Sequence, residues 1–154
     1  MPYDSKLLDA TGLDLLRALQ RDARVSFAEL GRRLGLSAPA IAERVRNLED
    51  AGILTGYRAE VDRAALGLPL TVFIRLQSPP SNYPKFLHLA QRLDEILELH
   101  HVTGSEAFIL KAAVSSVAHL ESLIGKLSAF GQTATSLVLS SPLLQREIVP
   151  PKPR

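Results

Sequence analysis

The chain has 154 residues, 46% of them hydrophobic and 22% charged, with no cysteine and a formal net charge of +2. This length suits one ordinary domain or two small ones, and the composition excludes a disordered chain and a membrane-spanning helix, for which the apolar runs are too short. The missing cysteines exclude disulfides, cysteine-ligated metals and thiol catalysis, and they favour a cytoplasmic protein because small secreted proteins often depend on disulfides.

The first third of the chain predicts three short helices. Apolar residues recur at helical spacing up to Leu19, where a polar stretch ends the first helix. Ser26 and Glu29 have the spacing of an N-terminal capping box for the second helix, which ends at Gly35. Ser37 is the expected N-cap of the third helix, because a serine side chain can accept a bond from the free N–H groups of the first turn.

The short connection between the second and third helices indicates a helix-turn-helix. The third helix has Pro39 in its first turn, where a missing N–H costs nothing, and extends to about Asp50. Residues 53–61 favour β structure and predict a strand or small wing. We therefore assign 8–61 to a winged helix-turn-helix DNA-binding domain and 62–69 to a linker.

In the second half of the chain, apolar residues first recur at every second position, and predicted strands and helices then follow one another. The predicted order is a strand at 70–77, a helix at 82–95, strands at 97–103 and 107–114, a helix at 116–130 and a strand at 133–140. This β-α-β-β-α-β order is typical of a ferredoxin-like αβ-sandwich, so the chain is of the α+β class. We assign 70–148 to this domain, expect Val117 to point inward with the apolar residues of its helix, and expect the proline-rich tail 149–154 to be loose.

The polar face of the third helix suits the major groove of DNA. At about 100° per residue Ile41, Val45 and Leu48 share one face, and another set of residues lies opposite them and on the flanks. This set comprises Pro39, Ala42, Glu43, Arg44, Arg46 and Asp50. Arg46 is expected to pair with a guanine, Glu43 to accept from a cytosine amine, and the small Ala38 and Ala42 to let the helix approach closely. The alternative is a solvated face on which Arg46 forms surface pairs with Glu43 and Asp50.

A second set of residues is expected at the DNA phosphates. Ser37 and the free N–H groups of the helix N-terminus suit a phosphate, while Arg32, Arg33 and Arg58 would hold the domain on DNA without reading its sequence. The local charge supports this interpretation, because residues 31–47 contain four arginines and one acidic residue.

Four motifs identify a family. They are QRDAR at 20–24, AELGRRLGLS at 28–37, ERVRNLEDAGIL at 43–54 and the GY at 56–57. Together they resemble the Lrp/AsnC (feast/famine) family of transcriptional regulators, and the resemblance continues to about Ile148. It implies a regulator that binds double-stranded DNA and forms homodimers, which assemble into tetramers or octamers. It also implies an amino acid or related metabolite as effector, bound near the turn between the second and third strands, and no other cofactor.

The effector turn departs from the family pattern. The family shows a glycine followed by acidic and aromatic residues, with a further aspartate for the ammonium group of the ligand. The corresponding residues here are Thr103, Gly104, Ser105, Glu106 and Ala107. Ala107 stands where the aspartate is expected, so Glu106 is the candidate replacement, and a different ligand or none are the alternatives. Gly12 also replaces a family aspartate and is expected to weaken the start of the first helix.

No metal or catalytic site is expected. His100 and His101 are adjacent on a strand, so their side chains point to opposite faces and cannot share one ion, while His88 and His119 lie on separate helices. The alternative enzyme is a siroheme decarboxylase, because those proteins resemble this family. They are rich in aromatic and histidine residues around a tryptophan-containing strand, whereas this chain has no tryptophan. We therefore expect a sequence-specific regulator and not an enzyme.

Overall fold

The computed structural model describes residues 6–150, which divide into two compact units. Residues up to Glu60 together with those from Leu143 onward form the first unit, and Val61–Pro142 form the second. Residues 143–148, which the sequence analysis assigned to the second domain, thus lie in the first unit.

Three helices build the first unit: α1 (Ala10–Arg21), α2 (Phe27–Leu34) and α3 (Ala38–Asp50). Both predicted serine caps are confirmed, because the Ser26 hydroxyl accepts from the N–H of Glu29 at 3.2 Å and the Ser37 hydroxyl accepts from the N–H of Ala40 at 3.3 Å. Gly35 ends α2 with a φ of 69°, a left-handed conformation that favours glycine. The buried core comprises Leu15, Leu19, Leu30, Ile41, Val45 and Leu48.

The start of α1 depends on Asp9 and Gly12. The Asp9 carboxylate caps the helix by accepting from the N–H of Gly12 at 2.7 Å. A Cβ on Gly12 would lie 2.0 Å from the carbonyl oxygen of Leu7, so glycine lets the preceding segment pack closely against the helix. The Asp9 cap therefore offsets the cost of glycine that the sequence predicts at this position.

A four-stranded antiparallel sheet and two helices build the second unit. In chain order these are β1 (Leu70–Gln77), a short 3-10 turn, α4 (Tyr83–Ala90), β2 (Ile96–His101), β3 (Phe108–Val114), α5 (Val117–Ser128) and β4 (Gln132–Leu137). The strand order is β2-β3-β1-β4, with every neighbouring pair antiparallel. The predicted α+β class and ferredoxin-like order are confirmed.

Both helices cover one face of this sheet. Val72, Ile74 and Leu76 alternate inward along β1 and are buried with Phe86 of α4 and Leu123 of α5. Burying side chains of this size contributes about 1.5–3 kcal/mol each, so this layer holds the unit together. The side chains that alternate with the inward ones point to the opposite face of the sheet.

Three details of the prediction were wrong. The strand or wing expected at 53–61 is coil, because the paired strands of the described residues all lie within 70–137 and leave this segment without a neighbour. The helix expected to reach Glu95 ends at Ala90, since the backbone then turns, with the N–H of Ile96 bonded to the Leu93 carbonyl. Val117 is 69% exposed because it begins α5, which buries residues further along.

The remaining fold predictions concern the tail and the membrane. Residues 149 and 150 are coil, while 151–154 lie outside the described residues. Within the described part of the chain, no helix has the length and apolar content to span a bilayer.

Candidate nucleic-acid interface and effector turn

Helix α3 has one buried face and one exposed face, as the periodicity predicts. The buried residues are Ile41, Val45 and Leu48. The exposed ones are Pro39, Glu43, Arg46, Asn47, Glu49 and Asp50, with Ala38, Ala42 and Arg44 half-buried between the two faces. A helix that packs along one side and leaves polar groups along the other has the form needed to enter a groove.

Asn47 is a candidate that the sequence analysis missed. It lies one turn beyond Glu43 on the exposed face of α3. Its amide has the donor and acceptor that match the edge of adenine. The position of Asn47 on the helical wheel, next to Glu43, was the signal that could have identified it.

The N-terminus of α3 is placed by the turn that precedes it. A Cβ on Gly31 would lie 2.4 Å from the carbonyl oxygen of Leu36, so the glycine lets the turn fold against α2. The N–H of Leu36 also donates to the Gly31 carbonyl at 2.9 Å. Ser37 is exposed and caps α3, which leaves the helix N-terminus accessible to an anion.

Arg32 and Arg33 are exposed but share an acidic partner. Both guanidinium groups donate to the Glu29 carboxylate, with Arg33 Nε at 2.7 Å from Glu29 Oε1. Exposed pairs of this kind are weak, so both arginines can exchange the carboxylate for a phosphate. The Glu29 carboxylate thus orients two cations at the surface of α2, while the Glu29 N–H donates to the Ser26 hydroxyl.

Arg44 has a partner inside the first unit. Its guanidinium forms two hydrogen bonds of 3.1 Å with the carboxylate of Asp9, which ties α3 to the start of α1. The hydrogen bond from Arg44 and the bond from the Gly12 N–H lower the pKa of Asp9. The fork-to-fork geometry makes Arg44 a bridge between helices.

Arg46 and Arg58 differ from Arg44, because neither has a hydrogen-bond or ion-pair partner among the described residues. Arg58 follows Tyr57, whose hydroxyl donates to Glu49 at the end of α3 at 2.9 Å. Burial, and then the bond to Glu49, raise the pKa of Tyr57 to about 12, so the hydroxyl keeps its proton. This bond fixes the segment that carries Arg58 to the end of α3.

The expected effector turn joins β2 to β3. Gly104 has a φ of 115° and open space around its Cβ position, as a tight turn requires. Thr103 and Ser105 are exposed, and the Ser105 hydroxyl donates to Glu106 at 2.9 Å. That bond lowers the pKa of Glu106, with a smaller contribution from the charge of Arg75, so Glu106 is an anion at the turn.

Ala107 lies differently from the other residues of the turn. It is 6% exposed and belongs to the core of the second unit, and its N–H donates to the Leu76 carbonyl at 2.9 Å. Its side chain therefore supplies packing and no polar group. A carboxylate for a ligand at this turn has to come from Glu106.

The histidines lie in separate surroundings. The ring of His101 packs against Tyr83 and Phe108, with centroid distances of 5.2 and 5.0 Å. His119 Nε2, on α5, lies 3.2 Å from Glu95 Oε1. Among residues 6–150, no three histidine, cysteine or acidic side chains come together in a group that could hold a metal.

Comparison with protein families gives two matches along the chain. The AsnC-type helix-turn-helix domain matches residues 8–49, and the Lrp/AsnC ligand binding domain matches residues 71–148. The chain is also 35% identical over 133 residues to the HTH-type transcriptional regulator LrpC of Bacillus subtilis, which covers 86% of this chain and 92% of LrpC.

The fold of this chain is also similar to those of solved regulators. The structure of B. subtilis LrpC superimposes with a TM-score of 0.83 at 34% identity, covering 89% of this chain and 98% of LrpC. The feast or famine regulatory protein Rv3291c of M. tuberculosis, complexed with L-methionine, has a TM-score of 0.82 at 30% identity, covering 93% and 99% of the two chains. A regulator of Neisseria meningitidis, also complexed with L-methionine, has a TM-score of 0.84 at 26% identity, covering 92% and 96%.

Proposed function

The chain belongs to the Lrp/AsnC family of DNA-binding transcriptional regulators, and we propose that its helix α3 reads the DNA site in the major groove. The observation that carries this proposal is the exposed face of α3. The N-terminus of the same helix is capped by Ser37 and accessible. Arg46 would pair with a guanine, Glu43 with a cytosine and Asn47 with an adenine. Ala38, Pro39 and Ala42 would lie close to the bases because their side chains are small.

Phosphate contacts would come from the rim of this face. Ser37 with the N-terminus of α3, Arg32 and Arg33 on α2, and Arg58 after α3 are the proposed groups. Their exposure supports this assignment, because each can reach a phosphate without breaking a buried contact. Arg44 stays a candidate DNA contact, but it would first have to exchange the two hydrogen bonds that its guanidinium makes with Asp9.

We propose that the turn from Thr103 to Ala107 binds an amino acid, with L-methionine as the first ligand to test. Two similar regulators are complexed with L-methionine, which supports this ligand class. Glu106 would meet the ammonium group, because it is an anion at the turn, and Ser105 would orient it. A regulator that responds to no amino acid is the alternative.

The uncovered face of the sheet supports assembly through the second unit. Phe73 of β1 is 42% exposed there, and its neighbours across the sheet are Lys111 of β3 and Ser136 of β4. A large aromatic side chain at the centre of an open sheet face is typical of a surface that pairs with another copy. We propose a homodimer through this face, with further assembly to tetramers or octamers, acting in the cytoplasm where its target DNA lies.

Selection of duplexes from genomic fragments tests the DNA-binding function. The intact protein should enrich a limited set of fragments that share a sequence, and affinity for them should fall steeply as salt rises. Recovery of fragments with no shared sequence would contradict a sequence-specific regulator. The relatives reported above are named as regulators, which favours this function over a tetrapyrrole decarboxylase.

A thermal-shift screen over the amino acids tests the effector. L-methionine or another amino acid should raise the melting temperature, because a ligand that binds the folded state stabilises it. The variant Glu106→Gln should lose most of this shift, whereas Glu121→Gln, exposed on α5 away from the turn in sequence, serves as the matched control. No shift with any amino acid would favour the effector-independent regulator.

A further inference from the structure

The end of the chain returns to the DNA-binding unit. Residues 143–150 are compact with helices α1 to α3, although they follow the last strand of the second unit. The chain therefore crosses between the two units twice, once after Glu60 and once before Leu143. The second crossing ends in a segment without regular secondary structure, so its position depends on the contacts it makes.

Gln20 on α1 holds this segment by its main chain. Its side-chain Nε2 donates to the carbonyl of Ile148 at 3.0 Å, and its Oε1 accepts from the N–H of Ile148 at 2.8 Å. One amide side chain thus satisfies both backbone groups of one residue, as a neighbouring strand would. Ile148 is 80% exposed, so Gln20 binds the main chain of this residue and not its side chain.

The residue after Gln20 and the residue before Ile148 add an ion pair. The Arg21 guanidinium donates to the Glu147 carboxylate, which raises the pKa of Arg21. Both residues border a groove of about 1260 Å³ whose other wall is the segment 54–60. The pair and the amide clamp together fix the register of the C-terminal segment on the end of α1.

We infer that Gln20 is a positioning residue that makes the C-terminal segment a second restraint on the DNA-binding unit. A unit held by one crossing can rotate about a few backbone bonds, whereas a second attachment point limits that rotation. In a dimer, this limit would fix the distance between two α3 helices and hence the spacing of the two half-sites that bind together. The inference rests on the proposed function, because it concerns how a DNA-binding dimer holds its reading helices.

The clamp is weak enough to act as an adjustable restraint. Two neutral hydrogen bonds on the surface favour the docked segment by roughly tenfold, and the exposed ion pair adds little. Removing Gln20 should therefore release the segment in a large fraction of the molecules without unfolding α1, since alanine is a good helix former.

The test measures spacing discrimination, defined as the ratio of the dissociation constants for duplexes with two half-sites at altered and at optimal separation. The duplexes carry the selected half-site twice, with about 2–5 base pairs inserted to change the helical phase. Gln20→Ala should reduce this ratio by roughly tenfold while its affinity for a single half-site stays within about twofold. Arg17→Ala, which breaks an exposed pair one turn earlier on α1, is the matched control and should keep the ratio.

A charge reversal tests the register independently. Arg21→Glu or Glu147→Arg alone should reduce spacing discrimination, and the two together should restore it. Hydrogen exchange adds a readout without DNA, because the Ile148 amide should exchange more slowly in the wild type than in Gln20→Ala.

The outcomes separate the two claims. A protein that selects no DNA sequence refutes the proposed function. A wild type that discriminates spacings, with Gln20→Ala discriminating equally well, overturns the positioning role while leaving DNA binding intact. Equal binding at all spacings by the wild type, or an Ile148 amide that exchanges at the unfolded rate, also overturns it.

Discussion

Arg46→Ala is the substitution that separates base reading from surface charge. Arg46 is exposed on α3 and has no partner among the described residues, so removing its guanidinium breaks no contact within the chain. The free energy of unfolding should stay within about 0.5 kcal/mol of the wild type. Any loss of DNA affinity then reports the contact with DNA and not a damaged fold.

The size of the loss follows from the contact proposed. A bidentate pair between arginine and guanine contributes about 1–3 kcal/mol per half-site, which corresponds to roughly 5-fold to 150-fold in the dissociation constant. A dimer on two half-sites loses about twice this free energy. Fluorescence anisotropy at fixed salt, with the selected duplex and a scrambled duplex of the same composition, measures both affinities.

The scrambled duplex decides the result. A base-reading Arg46 predicts a loss on the selected duplex and little change on the scrambled one. An equal loss on both, with a salt slope reduced by about one per half-site, would refute base reading and make Arg46 a phosphate contact. Arg44→Ala is the comparison variant for the stability measurement. It should lower the free energy of unfolding through the lost pair with Asp9, whereas Arg46→Ala should not.

Three further predictions follow from local geometry. Gly12→Ala places a Cβ 2.0 Å from the Leu7 carbonyl oxygen, so urea unfolding should show a stability lower by about 1–3 kcal/mol; an unchanged stability would contradict the close packing there. Because Arg44 lowers the pKa of Asp9, the ion pair stabilises the fold above the unfolded pKa of Asp9, about 4, and is lost as pH falls through the lower folded pKa; the stability gap to Asp9→Asn, which keeps the cap, should therefore close in acid, and a gap independent of pH would refute the pair. Glu106→Gln should weaken binding of the amino acid found in the thermal-shift screen by roughly tenfold in calorimetry, and equal affinity would exclude Glu106 as the ammonium partner.

The sequence predicts local structure in this chain well. Ser26 and Ser37 cap their helices through bonds that span three residues, so the motif and the bond are close along the chain. The alternation along β1 predicts which side chains are buried, because strand geometry forces a period of two. The exposed face of α3 follows from helical periodicity in the same way.

The details that escaped prediction depend on contacts distant in sequence. The segment 53–61 has the composition of a strand, but a strand also needs a neighbour, which composition does not reveal. The sequence predicts Arg44 as a DNA contact, but it does not reveal the ion pair with Asp9, 35 residues away. The clamp joins Gln20 and Ile148, which are 128 positions apart, and no local sequence pattern predicts this contact.

Methylation interference on the selected duplex tests the central claim that α3 reads the major groove. A methyl group on guanine N7 blocks the atom that a bidentate arginine approaches from this groove. We expect methylation to interfere with binding at one guanine in each half-site, the two lying about 10–10.5 base pairs or a multiple of that apart, and we expect Arg46→Ala to abolish the effect at those guanines. Interference confined to the minor groove, or no interference at any guanine with the wild type, would contradict this claim.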